Sequence, residues 1–164
     1  MTFWLGVVAM AAALLAGISL LFGAPYVPSR RKDIEVALSK LYKVSKQDTL
    51  VDIGSGDGAV LRVAAKRGAR AVGYEVNPLL ALVSGWRKPE GVAVKCRNGL
   101  TADWPSNTTV VYVFGVERVM PKLERKVQAH VRRYGKAVRV ISYGFKLPGL
   151  KPVREMGAYL LYEI

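Results

Sequence analysis

Short apolar stretches alternate with stretches of helical periodicity along most of the chain, and this alternation predicts strands separated by helices. The first helix would run from Ser29 to about Tyr42, with an apolar side formed by residues at helical spacing: Ile34, Ala37, Leu38 and Leu41. The predicted strands that follow are 49–53, 71–75, 92–97, 109–114 and 137–142. The predicted helices between them are 59–66, 78–86 and 119–133. After the turn at Pro148-Gly149, the closing hairpin is predicted at 153–155 and 158–164.

This order of elements predicts an α/β fold. We expect a doubly wound, mostly parallel, Rossmann-like sheet of seven strands with a C-terminal antiparallel hairpin, preceded by one N-terminal transmembrane helix. The chain then divides into an anchor at 1–24, a proline-rich and basic juxtamembrane link at 25–33, and a folded domain at 34–164. No internal repeat interrupts this plan.

The beginning of the chain is strongly apolar. No charged side chain occurs from Thr2 to Ser29, and Phe3 to Phe22 consists of apolar and small residues. About 20 such residues cross the roughly 30 Å hydrocarbon layer of a bilayer as a helix. Trp4 and Tyr26 would lie at the two membrane interfaces. The run therefore predicts a membrane anchor.

A buried core helix and a cleavable signal peptide are the two alternatives to an anchor, and core helices of this length are seldom apolar on all sides. A signal peptide normally begins with Lys or Arg, and none precedes this apolar run. Pro25 also disfavours cleavage at Gly23-Ala24, and the basic cluster Arg30-Arg31-Lys32 follows the run instead. By the positive-inside tendency, the expected arrangement is a single-pass membrane protein whose folded domain faces the cytoplasm.

A glycine-rich turn joins the first predicted strand to the next helix. Gly54, Gly56 and Gly58 let the backbone of this turn approach a ligand closely. Glu75 ends the second predicted strand about 20 residues further on, where a carboxylate can bind both hydroxyls of a ribose. Together these features predict a nucleoside-type cofactor at the carboxyl ends of two neighbouring strands.

The spacing of the turn distinguishes between cofactors. A dinucleotide site has the pattern G-x-G-x-x-G, whereas this turn reads G-x-G-x-G and continues with Ala59. Asp52, two residues before Gly54, would repel a pyrophosphate but tolerate a cationic sulfonium with an amino-acid tail. NAD or FAD binding and a chance glycine loop remain as alternatives. Hydride transfer has little other support, because His130 is the only histidine and is predicted to lie on the surface.

The pattern D-x-G-x-G-x-G, followed by an acid at the end of the next strand, resembles class I S-adenosylmethionine-dependent methyltransferases. The resemblance implies S-adenosyl-L-methionine as cofactor and a methyltransferase domain at 34–164. Glu75 would bind the ribose, Val76 would contact the adenine, and Asn98 would reach the adenine edge or only cap a loop. The full set of cofactor candidates is Asp52, Gly54, Ser55, Gly56, Gly58, Glu75, Val76, Asn77 and Asn98.

A narrower resemblance covers nearly the whole chain. It is carried by the apolar run, Pro25-Tyr26-Val27-Pro28, the glycine turn, Gly73-Tyr74-Glu75-Val76-Asn77-Pro78 and Phe114-Gly115-Val116. These segments resemble the membrane-anchored mitochondrial lysine methyltransferases of the ATP synthase c-subunit and the adenine nucleotide translocase. The resemblance implies a membrane or membrane-associated protein as substrate and places the 25–28 link near the active site. One departure is Asn98-Gly99, where the family has an acidic residue, so an adenine contact at this point stays open.

Two residues beyond the fourth and fifth strands are candidates for catalysis. Methyl transfer to an amine requires a positioned, neutral lysine and a group that accepts its proton. Glu117 could orient the amine, with Tyr143 as a second wall of the pocket. Glu117 could equally be the first-turn acid of the helix beginning near Val119.

The charge, aromatic and cysteine content of the chain indicates which kinds of binding partner are favoured. The chain has 25 Lys and Arg against 12 Asp and Glu, a net charge of +13, which suits an acidic partner or solvated helix faces. Aromatic residues do not cluster with the basic ones, which disfavours nucleic acid. The single cysteine, Cys96, excludes a disulfide framework and is predicted to be buried, and no residue cluster suggests a metal.

These observations favour a membrane-anchored, S-adenosylmethionine-dependent protein-lysine N-methyltransferase. One alternative is a methyltransferase of a small molecule, a lipid or nucleic acid. Amino-methylating DNA enzymes carry Asn/Asp-Pro-Pro-aromatic after the fourth strand, and this chain has Phe114-Gly115-Val116-Glu117 there. The second alternative is a non-catalytic, cofactor-binding membrane adaptor.

Overall fold

The structure is a computed structural model that describes Gly6, Met10 and residues 31–164. The predicted anchor at 1–24 lies outside the described residues except for Gly6 and Met10, and so do residues 25–30 of the link. Within the described part of the chain, no helix is both long and apolar enough to cross a membrane.

The strands form one mixed sheet of seven strands in the order β3-β2-β1-β4-β5-β7-β6. The first five strands pair in parallel, and β7 returns antiparallel between β5 and β6. The predicted doubly wound sheet with a C-terminal antiparallel hairpin is confirmed. The strands are β1 Thr49–Ile53, β2 Arg70–Glu75, β3 Val92–Cys96, β4 Val110–Val113, β5 Arg139–Tyr143, β6 Arg154–Met156 and β7 Tyr159–Glu163.

The helices also lie close to their predicted positions. The first, α1 Arg31–Val36, continues directly into a π-helical turn at Ala37–Leu41, and the apolar side predicted for it is buried. A 3-10 turn, Glu117–Val119, precedes the last helix. The remaining helices are α2 Ala59–Lys66, α3 Pro78–Trp86 and α4 Met120–Tyr134.

The apolar core has two layers, one on each face of the sheet. Leu50 and Tyr112 pack on one face in a cluster with residues of α1 and α2. Val51 and Val111 pack on the other face with residues of α4. Successive residues of a strand point to opposite faces, so both faces of the central strands are covered. The carboxyl ends of the five parallel strands lie together at one end of the sheet, which we call the carboxyl edge.

Two predictions about single residues were wrong. Cys96 is exposed, because it ends the edge strand β3. His130 is buried, because it continues the apolar side of α4 that begins with Leu123 and Val127. Its ring lies 5.7 Å from that of Trp104, which comes from the loop between β3 and β4.

Burial of His130 makes the stability of the fold sensitive to acid. The pKa of His130 is lowered, first by burial and then by the charges of Lys126 and Arg133. Below about pH 6.5 the unfolded chain therefore binds a proton that the folded chain does not, so the free energy of unfolding falls as the pH drops. We expect urea unfolding to show this loss between about pH 7 and pH 5, and His130→Leu to flatten it. Equal slopes for wild type and variant would contradict the assignment.

Candidate active site

The turn after β1 has the conformation that its glycines allow. Gly54, Gly56 and Gly58 have φ angles of 76°, 54° and 83°, in the left-handed region that disfavours a side chain. The N–H groups of Gly54 and Ser55 both donate to the carbonyl oxygen of Tyr74, at 2.8 and 3.1 Å. The turn is thereby held against the end of β2.

The two ends of the turn differ in their surroundings. Gly54 is exposed, and a Cβ added there would meet no atom within 4 Å. Gly58 is buried at the start of α2, and a Cβ there would collide with the hydroxyl of Ser84 on α3. The open side of the turn, where a ligand can approach the backbone, is therefore at Gly54.

Glu75 is fixed beside the turn by both of its oxygens. Its Oε2 accepts the N–H of Gly56 at 2.8 Å, and its Oε1 accepts the N–H of Asn77 at 2.8 Å. The side chain is buried, with 7% of its residue surface exposed. Each carboxylate oxygen has a further lone pair, so the anchored carboxylate can still accept hydrogen bonds from a ligand. The predicted juxtaposition of the glycine turn and Glu75 is present.

Asp52 adds a second buried carboxyl group to the site. Its pKa is raised well above the ordinary 3.8, first by burial and then by the charges of Glu75 and Asp57. Within residues 31–164, no hydrogen-bond donor or cation pairs with its carboxyl group. A buried carboxylate in this setting is costly unless it is protonated or paired. The site therefore favours a ligand that brings a positive charge.

Of the other predicted cofactor residues, Asn77 has a structural role, whereas the side chains of Ser55 and Val76 have no polar partner within residues 31–164. The carboxamide oxygen of Asn77 accepts the N–H groups of Leu79 and Leu80 and caps α3. The hydroxyl of Ser55 is buried beside Gly73 of β2 and has no hydrogen-bond partner among the described residues. Val76 is 38% exposed where β2 gives way to α3.

Asn98 has the loop-capping role that was its alternative interpretation. Its side-chain oxygen accepts the N–H of Leu100 at 2.9 Å, and its side chain is otherwise exposed. The following residue, Gly99, has no room for a Cβ because Ile53 and Tyr74 lie against it. The loop after β3 is thus shaped by its own packing, and Asn98 remains accessible at its outer side.

An aromatic row lies at the carboxyl edge beyond β4 and β5. The ring of Tyr143 contacts Phe114 and Tyr159 edge-on, with ring centroids 4.8 Å apart in both pairs. Tyr143 is half-buried. The hydroxyls of Tyr159 and Tyr112 lie 3.3 Å apart in the interior. We call Phe114, Tyr143 and Tyr159 the aromatic row.

The sequence alone did not identify Tyr159. Its place at the carboxyl edge depends on the antiparallel return of β7, which pairs Tyr159 directly with Tyr143. The alternation of apolar and polar residues in the closing hairpin could have indicated its face, but only once the register was known.

Glu117 is exposed at the first position of the 3-10 turn. Among the described residues it makes no hydrogen bond or ion pair. Helix α4 begins at Met120 and has no acidic residue in its first turn, so Glu117 lies just before that helix and not in it. Glu117 nonetheless lies only a few residues beyond Phe114, on the loop that leaves the carboxyl edge.

The carboxylates of this edge do not form a metal centre. In the part of the chain that the structure describes, no three His, Cys, Asp or Glu side chains come close enough together to hold a metal ion. Asp57 is instead paired with Arg62 at 2.8 Å. The arrangement can bind an organic ligand that carries hydroxyl groups and a cation.

Comparison with known proteins points to one family. A family model described as the ANTKMT methyltransferase domain matches residues 52–154. The ATP synthase c-subunit lysine N-methyltransferase of Xenopus laevis is 40% identical over 134 residues, which cover 78% of this chain and 56% of that protein. The adenine nucleotide translocase lysine N-methyltransferase of Mus musculus is 34% identical over 146 residues, covering 85% and 61%. The chain thus spans little more than half the length of these relatives.

A solved structure agrees with this result. The RNA methyltransferase of Salinibacter ruber, in complex with S-adenosyl-L-homocysteine, superposes with a TM-score of 0.71 and 27% identity, covering 84% of this chain and 92% of that chain. The resemblance inferred from the glycine turn and the strand-end acid is confirmed. The match of the family model across both features shows that this chain belongs to the ANTKMT methyltransferase domain family.

Proposed function

We propose that the chain is an S-adenosylmethionine-dependent protein-lysine N-methyltransferase that acts on a membrane or membrane-associated protein. The observation that carries the proposal is the buried acid pair Asp52 and Glu75 beside an open glycine turn. Such a site suits a cofactor with ribose hydroxyls and a cationic sulfonium and ammonium. The relatives of this chain are named as lysine N-methyltransferases, which supports lysine as the residue that is methylated.

The residues present fit this cofactor. Glu75 would accept the ribose hydroxyls with its free lone pairs, and Asp52 would balance the positive charge. Gly54 leaves space for the amino-acid part, and the exposed Val76 would lie against the adenine. When bound, S-adenosylmethionine would supply an electrophilic methyl group.

The chain's own contribution to catalysis would be to hold the amine and accept its proton. The aromatic row can pack against the aliphatic part of a lysine side chain, and its ring faces attract an ammonium group by cation–π interaction. Glu117 is exposed close to this row in the chain and would accept the proton of the lysine amine. Glu117 is thus the proposed proton acceptor, and Tyr143 is the proposed pocket wall.

The proposal includes the membrane anchor. Its support is the sequence from Phe3 to Phe22, which contains no charged residue, and the basic cluster that follows. We propose a single-pass protein whose methyltransferase domain faces the cytoplasm. Tethering would raise the local concentration of membrane substrates near the carboxyl edge.

Methyl transfer to RNA is a second candidate, favoured by the neighbour from Salinibacter ruber and by the net charge of +13. The test is to incubate the full chain, in detergent, with methyl-labelled S-adenosylmethionine and with membrane protein, RNA or lipid. We expect label on lysine ε-amino groups, identified by mass spectrometry. Label confined to RNA or lipid would overturn the proposal. No label in any fraction, with cofactor still bound, would identify an adaptor instead.

Gly54→Ala tests the open side of the turn. We expect S-adenosylmethionine affinity to fall by roughly 10-fold or more, because the new methyl group occupies space needed by the ligand. Gly91→Ala is the matched control, because Gly91 has the same φ of 76° and equally open surroundings, away from the site. Both variants should lose about 1 kcal/mol of stability from backbone strain. Calorimetric titration showing equal affinities in the two variants would contradict the assignment.

Tyr143→Ala tests the aromatic row. Loss of the ring should lower kcat/KM for the lysine substrate by about 5-fold, since a cation–π contact contributes roughly 1 kcal/mol. Tyr143→Phe keeps the ring and should retain most activity. Cofactor affinity should be unchanged in both variants. A labelled-methyl assay in which Tyr143→Phe is as impaired as Tyr143→Ala would assign the role to the hydroxyl instead.

A further inference from the structure

Helix α3 carries an apolar stripe on its outer surface. Leu79, Leu82, Val83 and Trp86 are 41%, 69%, 40% and 89% exposed. Their spacing along the helix places them on one side. Only Ala81 and Ser84 of this helix are buried. We call these four exposed residues the α3 stripe.

The position of α3 explains why the stripe stays uncovered. The helix packs on β2 and β3, and β3 is the edge strand of the sheet. Within residues 31–164, no element lies beyond it to cover the stripe. A contiguous exposed patch that includes a tryptophan is typical of an interaction surface.

The charges around the stripe are those that attract an anionic surface. Arg87 and Lys88 follow Trp86 directly and are exposed, and no acidic residue occurs from Val76 to Lys88. The crossover connections place α2 on the same face of the sheet as α3. The exposed Lys66 at the end of α2 adds further positive charge to this face.

We propose that the α3 stripe inserts into an anionic lipid surface, at the level of the headgroups and upper acyl chains. Leucine and tryptophan on one side of a helix, with arginine and lysine beside them, are the features of interfacial helices. The stripe lies on a single convex helix, which suits a lipid surface better than a groove-bound peptide. The apolar run from Phe3 to Phe22 would hold the domain near such a surface.

This docking would orient the active site. Helix α3 begins three residues after Glu75, so its first turn belongs to the carboxyl edge. Helix α3 runs from the carboxyl edge to the opposite end of the strands, so a helix lying flat in the interface keeps its first turn, and the adjoining part of the carboxyl edge, at the headgroups. The consequence for catalysis rests on the proposed function: the site then faces lysines that emerge at the membrane surface.

Site-specific fluorescence in reconstituted vesicles tests the proposal. The full chain with Cys96→Ser and Leu82→Cys is labelled at position 82 with an environment-sensitive dye. Arg132→Cys in the same background is the control, because Arg132 is exposed on α4, on the opposite face of the sheet. The vesicles contain phosphatidylcholine with or without phosphatidylglycerol, and carry nitroxide-labelled lipid for one measurement and aqueous iodide for the other.

We expect the dye at position 82 to be quenched by nitroxide lipid and protected from iodide, most strongly with phosphatidylglycerol. The dye at position 132 should show the reverse. Equal iodide quenching at both positions would overturn the proposal. Protection from iodide without nitroxide quenching would also overturn it, and would indicate that residues 1–24 or a second copy of the chain cover the stripe.

Activity separates this inference from the proposed function. Leu82→Ser and Trp86→Ser should lower methylation of a membrane-embedded substrate several-fold and leave that of a soluble lysine peptide unchanged. Equal loss on both substrates would contradict a docking role. Absence of lysine methylation in the wild type, with nitroxide quenching intact, would refute the proposed function but leave the docking surface standing.

Discussion

Replacement of Glu75 by alanine is expected to remove S-adenosylmethionine binding almost completely. The carboxylate would make two charge-assisted hydrogen bonds to ribose hydroxyls, each contributing about 1.5–3 kcal/mol. Their loss corresponds to an affinity roughly 100-fold to 10,000-fold lower. Isothermal titration calorimetry with the full chain measures this change directly.

Glu75 also supports the fold, so the variants must separate binding from stability. Its two oxygens hold the N–H groups of Gly56 and Asn77, and each unpaired N–H would cost roughly 1–3 kcal/mol. Glu75→Gln retains one acceptor and should be more stable than Glu75→Ala, while still losing most affinity. Glu90→Ala, an identical change at an exposed residue of the turn before β3, is the matched control. A folded Glu75→Ala variant with wild-type affinity would refute the assigned role.

Replacement of Asp52 by asparagine is expected to stabilise the ligand-free protein while weakening cofactor binding. The Asp52 carboxyl is buried and has no donor among the described residues, so its ionised form is costly. Asparagine removes that charge, so we expect the free energy of unfolding at neutral pH to rise. Affinity for S-adenosylmethionine should fall roughly 10-fold to 100-fold, because the cofactor loses its counter-charge.

Through Asp52, the stability of the ligand-free protein and its affinity for the cofactor should change with pH in opposite directions. The pKa of Asp52 is raised in the folded chain, first by burial, so the folded chain keeps a proton that the unfolded chain releases above 3.8. Stability from this group is therefore lost as the pH rises from about 4 through the raised pKa. Binding of a cation favours the ionised form, so affinity should increase over the same range. Asp52→Asn should remove both trends.

Asp48 offers a control of opposite sign. This buried carboxylate accepts hydrogen bonds from Ser45, Thr109 and Tyr42. Asp48→Asn should therefore destabilise the fold, because an amide cannot accept all of these donors. Urea unfolding that gives Asp52→Asn the same sign as Asp48→Asn would contradict the interpretation of Asp52 as an unpaired, ligand-directed acid.

The parts of the fold that the sequence predicted well are those specified by local signals. The apolar run before Gly54 and the glycines themselves determine where β1 ends and α2 begins. The end of β2 at Glu75 follows from a similarly clear apolar run. Parallel pairing of β1 and β2 then brings Glu75 beside the turn without further information. This is why the juxtaposition of Glu75 and the glycine turn could be predicted, and the aromatic row only in part.

The features that could not be predicted depend on contacts between segments that are far apart in the sequence. His130 is buried against Trp104, which comes from the loop between β3 and β4. Tyr159 lies beside Tyr143 because of the register in which β7 pairs with β5. The exposure of Trp86 could not be predicted from the sequence either, because α3 is apolar on most sides and its sequence is typical of a buried helix. Only the position of β3 at the sheet edge leaves its outer side uncovered.

Calorimetric titration of the full chain in detergent with S-adenosylmethionine, S-adenosylhomocysteine and NAD tests directly whether Asp52 and Glu75 form a cofactor site. Asp52 and Glu75 should admit the first two ligands, which carry an ammonium group, and exclude NAD, whose pyrophosphate they repel. We predict micromolar binding of both adenosyl ligands, lost in Glu75→Ala, and no binding of NAD. Binding of NAD, or no binding of any ligand by a chain shown to be folded, would contradict the account.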